Sequence, residues 1–111
     1  MRHLVLVMSE PVEGQEAAYQ DWYENTHLHE VLSSTGWQSA ERFELSDEQG
    51  LSCPRRFLAV YEVEANDPAT ILPTLKASRD QRVDTNSVDS RYAAWVFSPI
   101  GVRRLATRAS E

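Results

Sequence analysis

Between Gln15 and Leu32 the sequence QEAAYQDWYENTHLHEVL carries two helical stripes that cannot share one face of one regular helix. Ala18, Tyr19, Trp22 and Tyr23 follow the i, i+3, i+4 spacing of a buried stripe. At about 100° per residue that stripe returns at Thr26 and Glu30, whereas the next apolar positions are Leu28, Val31 and Leu32, close to half a turn away. The mismatch predicts an irregularity near Asn25 and Thr26, residue types that favour caps and turns, followed by a second short helix. His27 falls at that joint, where backbone groups are left unpaired and an imidazole is well placed for chemistry. The structural alternative is that it caps a backbone carbonyl.

The flanking segments read as strands and one more helix. His3 to Met8 is a continuously apolar, β-branched run, the pattern of a central strand covered on both faces. Ser9 to Gly14 is a turn, and Gly36 suits the left-handed position just past a helix. Trp37 to Leu45 alternates, with Trp37, Phe43 and Leu45 on one face and Gln38, Arg42 and Glu44 on the other. After a polar loop over 46–55, RFLAVYEVE from Arg56 to Glu64 is a second strong strand. Asp67 and Pro68 make an N-cap and first helical position for a helix to about Ala77, which Pro73 must kink or restart. Ser78 to Ser90 is polar and reads as a loop, and Arg91 to Ile100 as the last strand. The order β, α, β, β, α, β predicts an α+β, ferredoxin-like domain over residues 1–100 with a four-stranded antiparallel sheet, followed by a tail over 101–111.

Both faces of these strands are apolar. Phe57, Ala59, Tyr61 and Val63 lie opposite Leu58 and Val60, and Trp95 and Phe97 lie opposite Val96. Helices cover one face only, so the other needs a partner, and a second copy of the chain is the simplest.

A chain of 111 residues is long enough to bury roughly two thirds of its extended surface in one core. Its net charge of −6 argues against nucleic acid or an anionic membrane as partner. The lone Cys53 permits no intrachain disulfide and fits a reducing compartment, and the apolar run in MRHLVLVM is too short for a signal peptide, so a cytoplasmic location is expected.

The run PVEGQEAAYQDWYENTHLHEVLSSTGWQSAERFEL resembles the amino-terminal half of EthD-like members of the dimeric α/β-barrel superfamily. Those proteins carry a tryptophan–tyrosine pair on a helix, a histidine four residues after the tyrosine, a proline–glutamate step, and a glycine leading into a strand that ends near Arg-Phe. Trp22, Tyr23, His27, Glu30, Gly36, Arg42 and Phe43 match position by position; His29 stands where the family has proline. RFLAVYEVE and the helix opening at Asp67 resemble the second half, and the likeness fades beyond Ala77. The resemblance implies a homodimer with two sheets facing each other and a ligand pocket in each subunit between sheet and helices. It implies no single reaction, because such proteins include cofactor-independent polyketide cyclases, small isomerases and dehydratases, monooxygenases, haem proteins and accessory proteins.

Among the candidate residues His27 leads, as an acid or base near neutral pH. Tyr23, four residues earlier, stands on the same side of a helix and could polarise a carbonyl, as enolisation, aldol cyclisation or dehydration requires. Arg42 is the third catalytic candidate: either it and Glu62 pair across the sheet near the surface, or one of them points into the cavity and anchors an acidic or phenolic substrate. Trp22, Tyr61, Trp95, Phe97 and Glu30 make up the ligand-binding set, with core or interface packing as the alternative for the aromatics and for Tyr19. His27, His29 and Glu30 form an H-x-H-E cluster, but helical residues two apart point nearly oppositely, so no metal site is expected. No cofactor is expected either; haem, held by one axial histidine, is the outlying alternative, which a Soret band would reveal. The expected function is binding of an apolar, aromatic or polyketide-like molecule, with cofactor-independent cyclisation, isomerisation or dehydration; the alternative is a non-catalytic binding or accessory protein.

Overall fold

The structure is a computed structural model and describes residues 1–107. Strand β1 (Arg2–Ser9) is followed by helix α1 (Glu16–Trp22), a π-helical segment (Tyr23–His27) and helix α2 (Leu28–Thr35). Then come β2 (Ser39–Glu44), β3 (Phe57–Glu64), a 3-10 turn (Pro68–Thr70) running into helix α3 (Ile71–Ala77), and β4 (Ala93–Phe97). The four strands form one antiparallel sheet in the order β2-β3-β1-β4, with the two helical stretches on one face, an arrangement compatible with a ferredoxin-like fold. Residues 101–107 are exposed and carry no regular structure, and the rest of the expected tail, 108–111, lies outside the described residues. No helix among the described residues is long and apolar enough to cross a membrane.

The stripe mismatch is resolved without breaking the helix. The Leu28 N–H donates to the Tyr23 carbonyl, an i to i−5 bond, so one extra residue is absorbed into a wider turn while the backbone stays paired. That corrects the expected cap or turn at Asn25 and Thr26. Past the π segment the helix is rotated enough that Leu28 and Val31 join Tyr19 and Tyr23 in the core. Deleting Asn25 should let a regular α-helix run from residue 16 to 35 with its apolar stripe still in phase. The variant is expected to melt within a few degrees of the parent but to lose the stacking of His27 described below. A melting point lowered as far as a core cavity would lower it would show instead that the bulge is needed for folding.

Other boundaries follow their local chemistry. Gly36 closes α2 at φ 77°, where a Cβ would be strained. The Asp67 carboxylate accepts from the Ala69 N–H at 2.9 Å, and the change from 3-10 to α-helix at Ile71 puts Pro73 in the first turn of α3, where its missing N–H costs nothing. Trp37 does not share a face with Phe43, contrary to the alternation: it precedes β2 and turns into the core against Tyr61, ring centroids 5.4 Å apart.

Register sorts the two faces. Phe57, Ala59, Tyr61 and Val63 of β3, with Val5 of β1, face the helices and are buried. The other face presents three rows across the sheet: Phe43, Leu58, Met8 and Ala93; Glu41, Val60, Leu6 and Trp95; Ser39, Glu62, Leu4 and Phe97. Among the described residues no element covers those rows, and Phe43, Trp95 and Phe97 are 46%, 39% and 55% exposed. His3, on the helix side of β1, is fully buried between the Ser98 hydroxyl and the Ala65 carbonyl at 2.9 and 3.0 Å, a structural histidine.

Candidate functional site

Between the helix-facing side of the sheet, the helices and the loop that leads to β4 lies a cleft of about 680 Å³, within the size range of small-molecule sites. Its floor comes from β1, β3 and β4 through Val7, Tyr61 and Ala94, one wall from Trp22, Tyr23, His27 and Val31, and the opposite wall from Leu72 and Leu75 of α3. Residues 83–85, 88–90 and 92 of the loop before β4 line it as well, and the cleft stays open to solvent.

The π segment decides where His27 sits. Its ring stacks on Trp22, with centroids 4.2 Å apart and planes at 23°, and meets the Tyr23 ring edge-on at 5.0 Å and 85°. Nδ1 is buried with no hydrogen-bond partner among the described residues. Burial, and then the Arg82 cation, hold the imidazole down at about 4, so at neutral pH it is uncharged.

Two phenols line the same cleft. Tyr23 is pushed up to about 12, chiefly by burial and then by the neighbouring Tyr19 phenol, against the pull of the Ser9 hydroxyl. Tyr61, 1% exposed, is raised as well, by burial first and Tyr23 second. Both are protonated donors at any ordinary pH. Tyr19 is turned away to Ser9, hydroxyl to hydroxyl at 2.6 Å, and belongs to the core.

The other candidates separate. Arg42 does not line the cleft. It lies behind the tyrosines, its guanidinium carbon 4.7 Å from the Tyr23 ring centre, donating to the Gln20 side chain at 2.6 Å and pairing with Glu24 at 3.6 Å. It is a support for the aromatic wall rather than a group in contact with a guest. Glu62 pairs with Arg2 at 3.2 Å on the uncovered face. Trp95 and Phe97 stand on that same face, on the far side of the sheet, and therefore cannot bind a ligand in this cleft. Glu30 does not line it either: its carboxylate accepts from the Val83 N–H at 2.8 Å while the Trp22 indole N–H donates to the Val83 carbonyl at 3.0 Å. The two predicted ligand-binding residues thus pin the loop over the cleft. His29 is exposed while His27 faces inward, and among the described residues no three metal-ligating side chains converge.

Sequence reading missed the cleft's roof and its basic lip. Lys76, Arg79 and Arg82 line it, and the loop over 78–90 is held by a bridge between Pro11 and Val88, with the Val12 N–H donating to the Ser87 carbonyl at 2.7 Å and the Asp89 N–H to the Glu10 carbonyl at 2.9 Å. These are long-range backbone contacts with no local periodicity, so only the cluster of cations around Arg79 was available as a signal. The chain matches no protein-family model, no curated protein and no solved structure.

Proposed function

We propose that this chain is an EthD-like member of the dimeric α/β-barrel superfamily, a cytoplasmic homodimer that binds an apolar, aromatic or polyketide-like molecule and carries out cofactor-independent acid/base chemistry on it. The observation that carries this reading is the cleft itself, in which a half-buried, uncharged imidazole without an Nδ1 partner lies against the buried Tyr23 phenol, with the buried Tyr61 phenol lining the same space. Titratable groups withdrawn from water and gathered in one cleft, with their protonation equilibria displaced, mark a functional site. The Tyr23 and Tyr61 hydroxyls can donate to a ketone oxygen, and they hold it more tightly as it becomes an enolate. His27 Nε2 then takes the proton from the adjacent carbon. A base held at about 4 is weak, so the carbon must be acidified by the two phenols, or by a second carbonyl in the guest. Cyclisation, isomerisation and dehydration all start from that step. The apolar face that carries Trp95 and Phe97 supports the homodimer, because a second sheet is what covers such rows in this reading.

The test is solvent deuterium exchange at the acidic carbon of an aryl β-diketone, followed by NMR. His27→Ala is expected to slow the exchange at least about a hundredfold, the usual yield of a positioned base, with the melting point and dimer unchanged. Tyr23→Phe should slow it less. The low basicity of His27 favours a second reading, a binding or accessory protein without turnover, in which exchange is no faster than in buffer and His27→Ala loses affinity in proportion to stability.

A further inference from the structure

The chain is acidic overall, at −6, but the lip of the cleft is not. Lys76 at the end of α3, Arg79 in the following turn and Arg82 just beyond it bring three cations to one side of the opening. None of the three is in an ion pair among the described residues. Arg82 has its own structural duty, donating to the Leu75 carbonyl at 3.3 Å and to the Ser78 hydroxyl, which satisfies the end of α3. Lys76 and Arg79 have none, and both are exposed. The facing acids do not cancel them. Of the acids that line the cleft, Asp89 is already taken by Arg91, which donates to both its carboxylate oxygens at 3.0 and 3.1 Å, and Asp84 remains; Asp80 follows Arg79 in the same turn without lining the cleft, and Glu30 is engaged by the Val83 N–H.

We infer that the guest is an anion, an apolar or aromatic carboxylic acid whose carboxylate docks between Lys76 and Arg79 while its body enters the cleft toward Trp22, Leu72 and Tyr61. The inference rests on the proposed function insofar as it takes this cleft to be the binding site, but it is independent of any catalysis there. The physical case is local charge reversal: unpaired cations at the mouth of a low-dielectric cavity attract an anion far more strongly than they would in open water, and they discriminate it from a neutral analogue of the same shape.

The experiment compares 2-naphthoate with 2-naphthalenemethanol, one aromatic body with and without the charge, by titration calorimetry at low and moderate salt. The expected result is at least tenfold tighter binding of the acid, a preference that shrinks with added salt and vanishes in the Lys76→Gln, Arg79→Gln double variant, which binds the alcohol as the parent does. Equal affinities in the parent protein, or tighter binding of the alcohol, overturn the inference. A preference for the acid that survives the double variant overturns its assignment to these two cations. Failure of both compounds to bind up to their solubility overturns the aromatic guest of the proposed function along with it. Both substituted side chains are exposed, so the fold is retained, and the parent comparison stands without them.

Discussion

Replacing Trp95 and Phe97 together by glutamate is expected to turn the proposed homodimer into a folded monomer. Both residues are more than a third exposed on the uncovered face of the sheet, beside Leu6 and Leu4 of β1, and neither touches the core. In a face-to-face dimer they would be central aromatic anchors, each worth roughly 2 kcal/mol or more on truncation. A glutamate adds the cost of burying a charge, so the pair should weaken association at least about a thousandfold. Sedimentation or light scattering at about 10 μM would show the parent at twice the chain mass and the variant at one, with the same far-UV circular dichroism. A parent protein that sediments as a monomer at that concentration would sink the homodimer. The cleft lies on the opposite side of the sheet, so ligand binding in the monomeric variant should persist.

The second large effect is a pH dependence of stability that belongs to one side chain. His27 is held at about 4 in the folded protein against 6.5 when unfolded, a gap corresponding to about 3 kcal/mol. The sign follows from which state binds the proton. Between pH 6.5 and 4 the unfolded chain is protonated at this ring and the folded chain is not, so the stabilisation is complete above about 6.5 and drains away as the pH falls toward 4. Urea midpoints measured from pH 7.5 to 4 for the parent and for His27→Gln isolate the effect, because carboxylate contributions are common to both and cancel in the difference. The parent is expected to lose up to about 3 kcal/mol more than the variant over that window. Parallel profiles would mean that the imidazole is solvated in solution, and the mechanistic role given to it would fall. His3 belongs to both proteins and does not disturb the comparison.

Where the sequence was legible, it was so because the signal is local or periodic. The half-turn slip between Tyr23 and Leu28 announced a distortion centred on His27, since a 3.6-residue period allows no other way to bury both stripes. Its form was not legible: a capped break and a π turn produce the same slip in the apolar pattern, and only the Leu28 to Tyr23 hydrogen bond distinguishes them. The proline at position 73 likewise required a restart but did not fix where, and the 3-10 turn at Pro68–Thr70 settled it. Period-two alternation told which residues of β3 and β4 share a face, though not which face holds the helices. That is why Tyr61 falls in the cleft as expected while Trp95 and Phe97 fall on the far side.

The sequence by itself determined the order of elements, the two-faced apolar character of the sheet and the meeting of Trp22, Tyr23 and His27 on one helical stretch, because each depends on spacings of a few residues along the chain. Only the tertiary structure decided that Arg42 sits behind the tyrosines, that Glu30 and Trp22 are occupied by Val83, and that three cations rim the cleft. Those placements depend on contacts between segments 22 to 61 residues apart. They also depend on how deeply each group is withdrawn from water, and it is burial, which no spacing encodes, that leaves His27 uncharged and its Nδ1 without a partner.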